Sequence, residues 1–143
     1  MLAREPLHVM FAPEEGFTSD LAVSSAGAAA VVTKNPVGAG WAYVVSSISW
    51  SYSSAPTGGR VTIVDSGGDT LDDFDITAAG PGERVYEWPI QGVPGNGMTI
   101  TLAGGGGSIV GKLRVGIKVR SDVSLSGADY SVSDNSGIMD ALD

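Results

Sequence analysis

Apolar and polar residues alternate with a period of two along most of this chain. Ser47 to Ser53 reads Ser-Ile-Ser-Trp-Ser-Tyr-Ser, so an extended backbone sorts Ile48, Trp50 and Tyr52 onto one face and four serines onto the other. A helix would scatter the same residues around its circumference. The period recurs at Val61 and Ile63, at Phe74 and Ile76, at Tyr86, Trp88 and Ile90, and at Met98, Ile100 and Leu102. Its longest run is Leu113, Val115, Ile117 and Val119, interleaved with Lys112, Arg114, Gly116, Lys118 and Arg120.

Turn chemistry separates these runs. Pro56-Thr57-Gly58-Gly59, Gly80-Pro81-Gly82, Pro94-Gly95-Asn96-Gly97 and Gly104 to Gly107 each interrupt the pattern. Ser66-Gly67-Gly68-Asp69 predicts a hairpin between Val64 and Leu71, because glycine supplies the positive φ that tight hairpins need. Six alternating segments at roughly ten-residue spacing predict a sandwich or barrel. No segment holds a helical period over ten residues. Ala26–Val32 fits a short helix or an edge strand equally well.

The predicted organisation is all-β: one sandwich or barrel domain over residues 17–120, an extended N-terminal arm over 1–16 and an acidic C-terminal tail or arm over 121–143. Pro6, Pro13 and Gly16 mark the first arm. The tail holds five acidic residues and no basic one, and it reads either as a solvated extension or as an arm ordered by a partner. Val123, Leu125, Tyr130, Val132, Ile138, Met139 and Leu142 give it more apolar anchors than solubility requires.

Composition narrows the chemistry. With 143 residues and 43% apolar content, the chain can build one real core, and its 21 glycines suit short strands and tight turns. A formal charge of −8 disfavours a nucleic-acid partner. No leader is visible at the start, and Leu21–Val32 is too short to span a bilayer, so no membrane partner is expected and a cytoplasmic origin is. There is no cysteine, which removes disulfides, thiolate ligands and thiol nucleophiles. The one histidine, His8, sits in the N-terminal arm away from any nucleophile motif, so a Ser-His-Asp triad and a histidine metal site both lack support. Asp65, Asp69, Asp72, Asp73 and Asp75 do not follow an EF-hand order, and a turn-rich acidic surface is the favoured reading over calcium binding. Gly111-Lys112-Leu113 lacks the hydroxyl of a phosphate loop. Trp50 and Trp88 share strand faces with Ile48 and Ile90, which favours core positions over a sugar-binding face. No cofactor, metal or catalytic residue is expected, and the chain is expected not to be an enzyme.

Candidate contacts remain. Lys112, Arg114, Lys118 and Arg120 fall on one face of one strand and are half of the chain's eight basic residues. They suit either cross-strand pairing with acids such as Asp73, Asp75 or Glu87, or docking of an acidic partner or of the chain's own tail. In the arms, the apolar residues Leu7, Val9, Phe11, Leu125, Tyr130 and Ile138 are the expected grips.

The Ser-Trp-Ser-Tyr-Ser strand, the Pro-Thr-Gly-Gly turn, the Asp-Ser-Gly-Gly hairpin, the Asp-Ile-Thr-Ala-Ala-Gly segment and the Gly-Lys-Leu-Arg-Val strand resemble small virion structural proteins of tailed bacteriophages. The resemblance spans about residues 44–119 and is closest in style to capsid decoration, or cement, proteins. It implies a single, jelly-roll-like β-sandwich on the outer head surface that binds the major capsid protein at subunit junctions, forms homo-dimers or homo-trimers, and assembles in the bacterial host cytoplasm. The competing expectation is a carbohydrate- or receptor-binding module of a phage fibre or tail, with exposed aromatics in a shallow groove as its sign.

Overall fold

The computed structural model describes residues 16–121. They form eight strands: β1 (Thr18–Val23), β2 (Ala30–Lys34), β3 (Trp41–Tyr52), β4 (Gly59–Asp65), β5 (Thr70–Ile76), β6 (Gly82–Gln91), β7 (Met98–Leu102) and β8 (Gly111–Ser121). Sheet A has the order β1-β8-β3-β6 and sheet B the order β2-β7-β4-β5, with every pairing antiparallel. All connections except the β4–β5 hairpin cross between sheets, and the first strand pairs with the last. This is the double Greek key of a jelly-roll sandwich.

The alternating residues meet in the middle. Ile48, Val61, Ile63, Met98, Ile100, Leu102, Leu113, Val115 and Ile117 are all buried in one cluster. Each such side chain stabilises the fold by about 1.5–3 kcal/mol relative to exposure. The Ser66–Asp69 turn forms as the glycines predict: Gly68 takes φ +103° and its N–H donates to the Asp65 carbonyl at 2.8 Å.

The structure adds β1 and β2 and lengthens β3. The ambiguous stretch before Val32 yields a strand from Ala30, not a helix. In β1 the binary pattern is inverted: Leu21 and Val23 lie in register with the outward-facing Arg114 and Lys112, while Asp20 lies opposite buried Val115. Asp20 accepts from Lys34 Nζ at 2.7 Å, which ties β1 to β2 across the open edge of the sandwich. In β3 one extra residue, Ser46, sits between the pairs Val45–Ile117 and Ser47–Gly116. This bulge switches the inward positions from Tyr43 and Val45 to Ile48, Trp50 and Tyr52.

The opposite edge is closed by polar and aromatic groups. Asp72 accepts from Arg84 Nη1 at 3.0 Å and from the Tyr86 hydroxyl. The Arg84 guanidinium lies 3.9 Å over the Phe74 ring, whose centroid is 5.3 Å from that of Trp50. Asp65, expected on an acidic surface, is instead buried at the end of β4 with 1% of its surface exposed. Its Oδ2 accepts from Gly67 N–H at 2.8 Å and Asn96 Nδ2 at 2.9 Å, and its Oδ1 from Val93 N–H at 3.3 Å. A buried carboxylate persists because these donors replace water.

Candidate functional site

The outer face of sheet A carries the four candidate residues that lie within the described chain, Lys112, Arg114, Lys118 and Arg120. Its centre is low. Ser46, Ser47, Ser49 and Ser51 on β3 are half-buried, and Gly116 on β8 has no room for a side chain, since a Cβ there would meet Ser46 Oγ at 2.8 Å and Ser47 Oγ at 3.0 Å. The basic residues of β8 rise on one side of this trough. On the other, β6 contributes Glu83, Val85 and Glu87.

The four stripe residues fall on one face, as the alternation requires, and the two arginines hold neutral acceptors rather than carboxylates of sheet B. Arg114 donates to Ser19 Oγ at 2.9 Å, Arg120 donates to Gln91 Oε1 at 2.8 Å, and Lys118 Nζ stands 4.8 Å from the Phe17 ring centroid. Asp73 is held by Arg60 on its own sheet, which keeps its carboxyl below the usual carboxylate range. The Arg120–Gln91 bridge reaches from β8 to β6 across β3, at the level of Ala42 and Val44, both fully buried.

Phe17 lies just ahead of β1. It lines a shallow hollow of about 310 Å³ together with Ser46, Ser47, Glu83, Val85, Tyr86, Glu87 and Pro89. The hollow exists because β6 bulges: Val45 pairs with Ile90 and Ser47 with Val85, so Tyr86–Pro89 stand opposite Ser46 alone. Pro89 has no N–H for the ladder and fits such an interruption. The bulge also overturns the expectation that Trp88 is core. Trp88 is 83% exposed and follows Glu87 and precedes Pro89 in the chain without lining the hollow itself, while Val85 is 67% exposed. Trp50 is half-buried and does join the core, and Trp41 is exposed.

A second hollow, about 190 Å³, lies on the same face toward β1 and is bounded by Leu21, Ser49, Ser51, Pro81, Lys112 and Arg114. Among the described residues no group of His, Cys, Asp or Glu is arranged to hold a metal ion. Leu7, Val9, Phe11, Leu125, Tyr130 and Ile138, and also His8, lie outside the described residues. Sequence reasoning missed Phe17, Glu83 and Val85, which line one hollow, and the exposure of Trp88 beside them in β6. No linear signal joins a residue ahead of β1 to residues of β6 and its bulge.

No family model matches the chain, and no curated protein matches it. Solved structures are similar at the level of fold. A family 36 carbohydrate-binding module in complex with calcium and xylotriose is 17% identical, with 75% of this chain and 95% of that chain covered and a TM-score of 0.39. The Drosophila NLP-core is 12% identical over 74% and 99%, with a TM-score of 0.44. The extra small virus particle of the prawn Macrobrachium rosenbergii is 14% identical over 71% and 77%, with a TM-score of 0.26.

Proposed function

We propose that this chain is a non-catalytic binding module that takes a carbohydrate chain, as ligand or as receptor glycan, at the Phe17–Trp88 side of sheet A. The observation that carries this reading is the exposed Trp88 indole, borne by the same β6 bulge whose Tyr86, Glu87 and Pro89 line the hollow. Nothing in the core requires a large aromatic there, and an exposed indole offers a rigid apolar platform with little entropy to lose on binding. A sugar ring has an apolar C–H face and a rim of hydroxyls. Phe17, Val85 and Trp88 suit the former. Glu83, Glu87, Ser46 and Ser47 suit the latter, as acceptors and as hydroxyl partners.

Titration of the purified chain against a panel of polysaccharides and an array of glycans tests the reading. Binding to one glycan class is expected, weakened at least tenfold in Trp88→Ala and in Glu83→Gln with Glu87→Gln. An array without a hit, or a Trp88→Ala variant of full affinity, overturns it.

A second reading, a virion decoration protein, is favoured by where the described chain ends. Thr18 pairs with Ile117 and Trp41 with Ser121, so both ends leave sheet A at the same end, as suits two arms that grip neighbouring subunits of a lattice. Stoichiometric binding to expanded capsids with a raised disruption temperature is its expected result. Failure to bind mature particles counts decisively against it.

A further inference from the structure

Two open sheets leave four strand edges, here β1, β6, β2 and β5, and an edge carries backbone N–H and C=O groups without a ladder partner. Three of these edges are guarded. On β6 the bulge and Pro89 interrupt the row. On β5 the ladder shifts at Leu71, and Asp72, Asp73 and Asp75 follow. β2 is the shortest of the four and ends on Lys34. β1 differs. Its register with β8 runs from Thr18 to Val23 without a shift, and it contains neither proline nor glycine. Its one charge, Asp20, is held by Lys34 of the same chain at 2.7 Å.

The direction of the free groups on β1 follows from one bond. Ser24 N–H donates to the Gly111 carbonyl at 2.9 Å, so Ser24 and Gly111 continue the β1–β8 ladder as a hydrogen-bonded pair. Such pairs alternate along an antiparallel ladder. Ala22, Asp20 and Thr18 therefore bond to β8. The N–H and C=O groups of Ser19, Leu21 and Val23 point away from it and meet no partner among the described residues. The side chains of Leu21 and Val23 stand beside them, 55% and 56% exposed.

We propose that β1 pairs with β1 of a second copy of this chain, antiparallel and about a two-fold axis at Leu21. The row of free groups is complementary to itself. Leu21 meets Leu21 of the second copy, and Ser19 meets Val23 on either side, each as a hydrogen-bonded pair. No like charges are opposed, since Asp20 falls opposite Ala22. The two copies of sheet A join into one continuous sheet, the isologous arrangement of a two-fold dimer. One strand edge with two apolar side chains buries less than the about 800 Å² per partner of a standard interface, so the dimer is concentration-dependent and not obligate. The proposal is independent of the carbohydrate reading, because the Phe17 hollow is lined by other residues.

The test is sedimentation and NMR on the full-length chain over a concentration series reaching about 1 mM. A monomer–dimer equilibrium is expected. In a mixture of differently labelled copies, the Leu21 methyls of one copy should contact those of the other. Exchange of the Ser19, Leu21 and Val23 amides should slow as concentration rises. Leu21→Lys and Leu21→Glu, each alone, should weaken self-association about tenfold or more, because the axis sets like charges face to face. Mixed together, the two variants should associate again. Sandwich resonances report folding in every sample. A chain that stays monomeric throughout overturns the proposal. So does a dimer without the Leu21–Leu21 contact, or a pair of folded charge variants that fail to associate when mixed. Amide protection that does not depend on concentration also overturns it, in favour of a partner within the same chain.

Discussion

Asp65 concentrates several constraints in one side chain. It sits at the end of β4, accepts hydrogen bonds from the hairpin that follows and from the β6–β7 connection, and is almost wholly removed from water. Hydrogen bonds to a charged group contribute about 1.5–3 kcal/mol each, and donors left buried without an acceptor cost about 1–3 kcal/mol. Asp65→Ala should therefore destabilise the chain by about 3 kcal/mol or more in urea titrations, with Asp65→Asn milder. In the sequence Asp65 looks like the first member of an acidic surface cluster. What distinguishes it from Asp69 or Asp75 is the Asn96 amide and the Val93 N–H, which arrive from another part of the chain. Trp88 is the reverse case: a large aromatic in phase with Ile90 that the bulge turns out to solvent. Its truncation should leave the denaturation midpoint nearly unchanged, within the about ±0.5 kcal/mol usual for surface positions, so that loss of glycan binding in Trp88→Ala reports on binding alone.

At the scale of elements, the two bulges decide which residues face where. Ser46 shifts the phase of β3 by one residue, and a one-residue slip moves every side chain to the other face of the sheet. Deleting Ser46 should turn Tyr43 and Val45 outward and Ala42 and Val44 inward. The cost exceeds the about 5–15 kcal/mol of a typical domain's stability once several core side chains are misplaced. The expected outcome is loss of the cooperative thermal transition, read by circular dichroism; a deletion variant that melts near the parent temperature contradicts this account of β3. Period-two patterning read the second half of β3, β4, β7 and β8 well, because both sides of each pattern are unambiguous there. It read β1 poorly because an edge strand can place Leu21 and Val23 outward and pair Asp20 with Lys34 across the sandwich edge.

At the scale of the molecule, two ion pairs close opposite sides of the sandwich and make its stability depend on pH. Lys34 holds the Asp20 carboxyl below the usual carboxylate range. Burial raises the Asp72 pKa, but hydrogen bonds from Tyr86, the Asp73 N–H and Arg84 outweigh it and leave that carboxyl lowered too. A folded-state pKa below the unfolded value means that stability is fully present above the unfolded value, about 3.9, and is lost as pH falls through the folded-state values. Urea midpoints should thus be flat near neutrality and fall below about pH 4. In Asp72→Asn the midpoint should be lower at pH 7 and its decline on acidification shallower. Burial and Asp72 together raise the Tyr86 pKa, which keeps that hydroxyl protonated and donating at all pH values below the ordinary tyrosine range.

The sequence by itself determined the all-β class, the Ser66–Asp69 hairpin and the inward faces of the second half of β3, β4, β7 and β8. These follow from local rules: strand periodicity, and the positive φ that glycine permits. It also placed Lys112, Arg114, Lys118 and Arg120 on one face. Only the tertiary structure decided that β1 lies beside β8, that Asp65 is buried, that Trp88 is exposed and that Phe17 shares a hollow with Ser47 and Glu83. Each of these depends on pairing between segments far apart in the chain and on extra residues that change strand phase at one point, and neither leaves a periodic mark that residues next to each other could reveal.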